Sequence, residues 1–258
     1  MEYALEERIG NPDLFVGRNK ELIFFLKWIN DIKERKSKST ALLARRKMGK
    51  TALMERLYNI TFYKNDGVIP FYYEVKETSI WMGDFCVDFC LTFLYQYIAF
   101  KTRKPQYLKQ QAQGDFQSIK KIALEEKLDF LVQAIDGIER LYLNEHLDLL
   151  WEAVREMPKR MAERNGEFIV QIIDEFQFLN SKIYRDKQLT NLKADFAGGY
   201  LSTAESKVAP LLVSSSSVGW FFLNHTMPAR FKFRYLENMP EDEAIEMIFK
   251  YSRLNLKR

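Results

Sequence analysis

The stretch ALLARRKMGKTALM, residues 41–54, decides the fold of this chain. It begins with an apolar run typical of a buried strand and ends in the start of a helix. Between them, Gly49-Lys50-Thr51 has the pattern of a phosphate-binding loop, in which backbone N–H groups and the lysine bind phosphates and the hydroxyl binds Mg²⁺. The loop pattern opens with glycine, but Ala44 stands in that place. We expect the methyl group to be tolerated at negative φ and to cost about 1 kcal/mol at positive φ.

A second apolar run, FIVQIIDEF, supplies acids where a buried strand is expected to end. Asp174 is of the type that binds Mg²⁺, and Glu175 is of the type that activates water as a general base. Because neighbouring residues on a strand point to opposite faces, we expect the two acids to have different roles. The alternative for Asp174 and Glu175 is that they are two solvated acids at the end of a strand. The alternative for residues 41–54 is a strand, a turn and the start of a helix that bind no ligand.

A third apolar run, LLVSSSSVGW, ends in hydroxyl groups. One residue of Ser214 to Ser217, for which we single out Ser216, is predicted to contact the γ-phosphate or the attacking water. The alternative is that these serines cap the helix that follows. The sequence leaves both interpretations open.

The order of apolar runs and amphipathic segments predicts an α/β fold in which a parallel sheet is flanked by helices. Residues 82–163 are predicted to be a large helical insertion, punctuated by Gly114, Gly137 and Pro158. Pro70 is predicted to weaken its strand or to place it at a sheet edge. The last strand and helix are predicted at 231–239 and 240–254.

Composition restricts the class of protein. The chain has 258 residues and a net charge of +4, which permits an anionic partner without requiring one. Its only cysteines, Cys86 and Cys90, are four residues apart in an apolar segment, which favours buried thiols in a reducing compartment. The N-terminus lacks a signal-peptide pattern, and the apolar segment 85–100 is too short and interrupted to span a bilayer. We therefore expect a cytoplasmic protein without a membrane partner.

Four segments follow one another along the chain in an order that resembles that of one known family. They are FVGRNKEL (15–22), ARRKMGKT (44–51), IIDEFQ (172–177) and VSSSSVGW (213–220). The set resembles the archaeal-type P-loop ATPases of the STAND/AAA+ group, kin to the archaeal origin-recognition ATPases. The paired Arg45 and Arg46 are a family feature that a generic phosphate loop lacks. The resemblance covers residues 15 to about 250, although the helical insertion matches in position rather than in sequence.

The resemblance implies an ATPase switch that uses ATP/ADP and Mg²⁺. It implies metal binding by Thr51 and Asp174, and catalytic roles for Lys50, Glu175 and Ser216. The residues that it implies for nucleotide binding are Phe15, Val16, Arg18, Arg45, Arg46, Lys47, Met48, Gly49, Lys50 and Thr51. The alternative function is a nucleotide-dependent protein- or DNA-binding module with little or no hydrolysis.

The resemblance also implies an ATPase core at 1–238 and the start of a helical lid at 239–258. Family members usually continue into further domains, so the sequence is either a compact variant or a fragment, and both interpretations remain open. DNA, a protein effector and self-association through the core are the candidate partners. Basic runs at 33–38 and 101–109 either contact DNA or are solvated helix ends, and Arg230 is a candidate for sensing the γ-phosphate of a neighbouring subunit.

Overall fold

The computed structural model describes residues 3–110, 114–223 and 230–255. Seven strands lie within these ranges. They are β1 (Thr40–Ala44), β2 (Val68–Glu74), β3 (Ile80–Trp81), β4 (Phe168–Asp174), β5 (Ile183–Tyr184), β6 (Leu211–Ser216) and β7 (Lys232–Tyr235). Five of them form one sheet in the order β2-β4-β6-β1-β7, and every neighbouring pair is parallel. The predicted parallel sheet is confirmed.

Helices connect and cover these strands. They are α1 (Asn19–Asn30), α2 (Lys50–Lys64), α3 (Met82–Thr102), α4 (Gln106–Gln110), α5 (Phe116–Glu125), α6 (Phe130–Leu143), α7 (Leu147–Asn165), α8 (Leu179–Lys182), α9 (Ser217–Leu223) and α10 (Glu241–Asn255). Short 3₁₀ turns lie between some of them. The fold class is α/β, with helices packed on a parallel sheet.

The order of the strands explains their burial. Every residue of β1 is buried, as are the first five residues of β6, because each strand has a neighbour on both sides and helices on its faces. β2 is bonded only to β4 and therefore forms an edge, which is where Pro70 is tolerated. β7 forms the other edge, and its four residues are exposed.

The helical insertion is present as α3 to α7, but two of the three residues that were predicted to separate helices lie inside helices. Gly137 lies inside α6 and Pro158 lies inside α7. A proline removes only its own N–H donor, and the buried apolar face around it, including Val154 and Met161, holds α7 together across that loss. Gly114 alone lies between helices, just before the N-cap of α5.

α3 is almost wholly buried and carries both free thiols, as predicted. Burial raises the pKa of Cys86 and of Cys90, which keeps both thiols protonated. None of the helices among the described residues is long and apolar enough to cross a membrane. A second sheet that the sequence analysis did not predict pairs β3 with β5 in parallel and fastens the start of α3 to the segment after β4.

Candidate nucleotide site

The loop between β1 and α2 turns on two left-handed residues. Ala44 is the last residue of β1, lies beside Ser216 and has a negative φ, so its methyl group is tolerated. Lys47 and Gly49 have φ values of 64° and 81°, and these reverse the chain into α2. A Cβ built on Gly49 meets no atom within 4 Å, so the space over this part of the loop is open.

α2 begins with the side chains expected of a phosphate site. No side chain in the described part of the chain caps its N-terminus at Gly49, so first-turn N–H groups can bind a ligand. Lys50 is only 4% exposed, and its Nζ lies 3.4 Å from the carbonyl oxygen of Arg45, so the ammonium group points back into the loop. Thr51 is half-buried beside it. This arrangement provides positive charge and N–H donors for an anion.

The remaining cations of the loop are on its outer surface. Arg45, Arg46 and Lys47 are exposed, and Arg46 forms an ion pair of 3.0 Å with Glu77. Met48 is half-buried, and its carbonyl oxygen faces inward, where it accepts a hydrogen bond. The loop therefore presents several positive charges to solvent.

Asp174 lies at the same edge of the sheet as the loop. It ends β4 and is fully buried, and its carboxylate accepts hydrogen bonds from the Ser214 hydroxyl, from the Glu175 N–H at 2.9 Å and from the Tyr72 hydroxyl at 3.4 Å. These donors offset the cost of burying a charge. Only β6 separates β1 from β4, so the loop and Asp174 follow strands about 10 Å apart.

Glu175 does not continue the strand. The prediction that the two acids alternate across a strand is wrong, because β4 ends at Asp174 and Glu175 has a left-handed φ of 53° that starts a 3₁₀ turn. The Glu175 carboxylate is half-buried and accepts a hydrogen bond from the Gln177 amide. A turn therefore positions Glu175, and its role as a base stays a prediction.

The serines at the end of β6 have different partners. The Ser216 hydroxyl accepts the Gly219 N–H at 2.9 Å, which is the helix-capping arrangement at the start of α9. The buried Ser215 hydroxyl donates to the Ser216 carbonyl oxygen at 3.0 Å. Ser214 contacts Asp174, because β4 and β6 pair in a register that sets Ile173 beside Val213. The contact of Ser216 with a γ-phosphate stays a prediction.

Two further residues near Asp174 were missed by sequence reasoning. Burial raises the pKa of Glu55 on α2 to about 7, against the opposing effect of Arg8, and the charge of Asp174 contributes to the rise. Burial, together with the same charge, raises the pKa of Tyr72 well above its usual value, so its hydroxyl stays a donor. A glutamate four residues after Thr51 on a helix gave no signal that it would be buried here.

The FVGR segment packs against the phosphate loop. Val16 and Arg18 are buried, and the Arg18 guanidinium donates to the Met48 carbonyl oxygen at 3.1 Å. Phe15 is half-buried under the guanidinium of Arg56 from α2, 5.2 Å from its ring centroid. The structure therefore brings together this segment and the loop, which are separate in the sequence.

Other cations singled out in the sequence lie elsewhere or have acidic partners. Arg230 precedes β7, at the amino-terminal edge of the sheet, and forms an ion pair with Glu205. In the basic runs, acids pair with several lysines: Lys33 with Asp66, Lys36 with Glu34, Lys101 with Glu167 and Lys104 with Glu126. These cations are partly neutralised within the fold.

The side chains near the loop fit a Mg²⁺ ion that is bound together with a nucleotide. Within the described ranges, no three side chains of Asp, Glu, His or Cys cluster in a way that could hold a metal ion. Mg²⁺ in nucleotide sites needs only one or two protein ligands, because phosphate oxygens and water complete its octahedron. The buried Asp174 carboxylate and the Thr51 hydroxyl fit that requirement.

Comparisons with known proteins indicate similarity at a low level. No protein-family model and no curated protein matches the chain. Similar solved structures include the Aeropyrum pernix ORC1 protein in complex with DNA, with 11% identity over 94% of this chain and 50% of that chain and a TM-score of 0.46. The A. pernix ORC2 protein in ADPNP–ADP complexes has 13% identity over 97% and 56% of the two chains and a TM-score of 0.45.

A chain of the E. coli MS115-1 HORMA:CdnC:Trip13 complex has 11% identity over 92% of this chain and 68% of its own length, with a TM-score of 0.47. The present chain spans about half the length of the two A. pernix proteins.

Proposed function

We propose that the chain is a Mg²⁺-dependent switch of the AAA+/STAND type that binds and hydrolyses ATP, kin to the archaeal origin-recognition ATPases. The observation that carries the proposal is the placement of the phosphate loop and buried Asp174 at one carboxyl edge of a parallel sheet, with β6 between them. Ligands of open α/β sheets bind at this edge. ATP would favour one arrangement of the core, the helical insertion and a partner, and hydrolysis would release it.

The loop residues bind the phosphates in this proposal. Lys50, already directed into the loop, contacts the β- and γ-phosphates, and the uncapped first-turn N–H groups of α2 complete the cradle. The exposed Arg45, Arg46 and Lys47 add positive charge around the triphosphate. The FVGR segment, which packs on the loop, borders the adenine with Phe15, Val16 and Arg18.

Thr51 and Asp174 would hold Mg²⁺, and the ion would supply positive charge against the negative charge of the phosphates. The hydroxyls of Ser214 and Tyr72 fix the orientation of the Asp174 carboxylate. Both donate to the oxygens of a buried charge, so they hold it in place without removing its charge. They are therefore positioning residues for the metal ligand.

For hydrolysis, we assign Glu175 as the base that activates the attacking water and Ser216 as the sensor of the γ-phosphate. In the present arrangement Gln177 holds the Glu175 carboxylate and Gly219 holds the Ser216 hydroxyl. Neither contact excludes a nucleotide, because the Ser216 hydroxyl is the acceptor and keeps its own donor, and the Glu175 carboxylate has a second oxygen. Ala44, in place of the glycine that opens the loop pattern, motivates the second candidate function, a nucleotide-dependent protein- or DNA-binding module with little hydrolysis.

Nucleotide titration and phosphate release on the purified protein test the two candidates. We expect Lys50→Ala to weaken ATP binding at least about tenfold, because it removes a charge-assisted contact worth about 1.5–3 kcal/mol. Lys64→Ala is the matched control, since Lys64 ends the same helix about 21 Å away. Glu175→Gln should keep binding and lower turnover by about a hundredfold or more.

The outcomes separate the assignments. Equal turnover by wild type and Glu175→Gln contradicts the assigned base. Tight binding without turnover in the wild type favours the binding module. A wild-type protein that binds no adenine nucleotide contradicts both candidates.

DNA, a protein effector and self-association are candidate partners within the same proposal. The ion pairs of Lys33, Lys101 and Lys104 leave fewer cations for DNA in the two basic runs. A DNA contact there predicts a binding constant that falls steeply with salt. An affinity that does not change with salt contradicts that contact.

A further inference from the structure

Arg18 connects the phosphate loop to the chain that leads into α10. The residue is 5% exposed, and its guanidinium donates to the Met48 carbonyl oxygen at 3.1 Å, to the Glu237 carbonyl oxygen at 2.8 Å and to the Glu21 carboxylate at 3.3 Å. Met48 precedes Lys50 by two residues, and Glu237 lies between β7 and α10. One planar group therefore sets the position of both segments.

α10 makes a second contact with the same residue through Glu243 in its first turn. The Arg18 N–H donates to Glu243 Oε2 at 2.9 Å. The carboxylate lies against Gly17, where a built Cβ would be 2.6 Å from Oε2 and 3.2 Å from the Cβ of Glu243. Only a glycine leaves room for this carboxylate, so the glycine and the glutamate fit together as a pair.

The backbone at this point is strained, which makes the contact consequential. Arg18 has φ 60° and ψ 20°, a left-handed conformation that costs a residue with a side chain about 1–2 kcal/mol. No side chain caps α1 at this position. The hydrogen bond from the Arg18 N–H to Glu243 and the bonds of its guanidinium hold the conformation from two sides. Without Glu243, only the guanidinium bonds would hold this conformation, and a relaxation of the Arg18 backbone would shift the guanidinium relative to Met48.

We propose that Glu243 is a positioning residue for the phosphate loop, which acts through Arg18 on the Met48 carbonyl oxygen. The consequence for nucleotide affinity rests on the proposed function, whereas the effect on the loop itself does not. Because coupling between two sites is reciprocal, nucleotide binding in turn stabilises the docked position of α10. The first turn of α10 is thereby part of the nucleotide site, although it contributes no residue to the phosphate loop.

Titration with a fluorescent ATP analogue and Mg²⁺ tests the proposal on three variants. We expect Glu243→Ala to weaken affinity by about tenfold, within the range typical of coupled sites. Glu243→Gln should stay within about threefold of wild type, since its amide oxygen accepts the same Arg18 N–H. The matched control is Glu246→Ala on the same helix, where the exposed side chain pairs with Lys250 at 3.2 Å, and we expect its affinity to be unchanged.

Hydrogen exchange of residues 45–50 without nucleotide supplies a readout that does not depend on binding. We expect faster exchange in Glu243→Ala than in wild type and in Glu246→Ala, with circular dichroism unchanged. If Glu243→Ala does not fold, Glu243→Asp replaces it, because the shorter side chain withdraws the carboxylate from Arg18.

The results distinguish this inference from the function on which it partly rests. A wild type that binds no nucleotide overturns the proposed function, and the exchange comparison still decides the positioning role. A wild type that binds, together with a Glu243→Ala variant of equal affinity and equal exchange, overturns the positioning role and leaves the proposed function standing.

Discussion

Replacing Gly17 with alanine tests the packing of α10 through stability alone. The φ of Gly17 is 72°, where a residue with a side chain pays about 1–2 kcal/mol. The new methyl group would lie 2.6 Å from the Glu243 carboxylate, which has to turn away and leave the Arg18 N–H without its charged acceptor. Losing such a bond costs about 1.5–3 kcal/mol. We expect the free energy of unfolding to fall by about 3 kcal/mol, at the lower end of the combined range, because the displaced carboxylate can reach water.

Gly166→Ala is the matched control for backbone strain. Gly166 has a φ of 66° after α7, and a built Cβ there meets no atom within 4 Å. Its alanine variant therefore loses only the conformational term of about 1–2 kcal/mol. Urea unfolding, followed by tryptophan fluorescence, measures both variants, and the difference between them reports the contact with Glu243.

A double variant isolates the contact further. In a Glu243→Ala background the carboxylate is absent and only the 3.2 Å approach to the Cβ of residue 243 remains, so Gly17→Ala should cost little more than the strain term. The two substitutions should therefore be less than additive. Equal losses for Gly17→Ala and Gly166→Ala would refute the reasoning. So would a full 3 kcal/mol loss, to within about 0.5 kcal/mol, in the Glu243→Ala background.

Two more expectations concern the surroundings of the buried aspartate. Ser214→Ala should lower the free energy of unfolding, measured by urea titration, by about 1.5–3 kcal/mol, because it removes a donor to a buried charge. The control is Ser215→Ala, at an equally buried position, which loses a neutral hydrogen bond worth about 1 kcal/mol. Equal losses in the two variants contradict the role assigned to Ser214. The pKa of the Glu55 carboxyl is about 7 in the folded state and 4.5 in the unfolded state. Between these pH values the native state binds more protons than the unfolded state, so the stability of the wild type falls as the pH rises from 4.5 to about 7. Glu55→Gln lacks this loss and should be more stable than wild type by up to about 3 kcal/mol at pH 8 and equal to it at pH 4, and a difference that does not change with pH contradicts the raised pKa.

The parts of the fold that the sequence predicted correctly depend on local patterns. The apolar runs that form β1, β4 and β6 are short and continuous. The Gly49-Lys50-Thr51 turn joins the first of them to α2, whose apolar residues recur at helical spacing. Glycine and proline were less reliable guides. Pro158 continues α7 because packing on both sides of it outweighs one missing donor, and Glu175 leaves β4 because the chain turns there.

The contacts that sequence reasoning missed join residues that are far apart along the chain. Ser214 reaches Asp174 across 40 residues, and Glu243 reaches Arg18 across 225. The first contact requires the register of β4 and β6, and the second requires the position of α10. Neither the register nor the helix position has a local signature, since the serines and acids in these segments are equally suited to capping helices.

The electrostatics of Asp174 connect the fold to the proposed chemistry. Among the residues that the structure describes, its fully buried carboxylate has hydrogen-bond donors and no ion pair with a lysine or an arginine. Glu74, which lies beside Asp174 in the register of β2 and β4, is bonded to Arg8, and Arg8 also pairs with Glu55 at 3.7 Å. A buried charge with neutral donors alone lowers stability relative to an uncharged side chain of the same shape. A cation beside this carboxylate would offset that cost, and under the proposed function a Mg²⁺ ion bound together with a nucleotide would supply the countercharge.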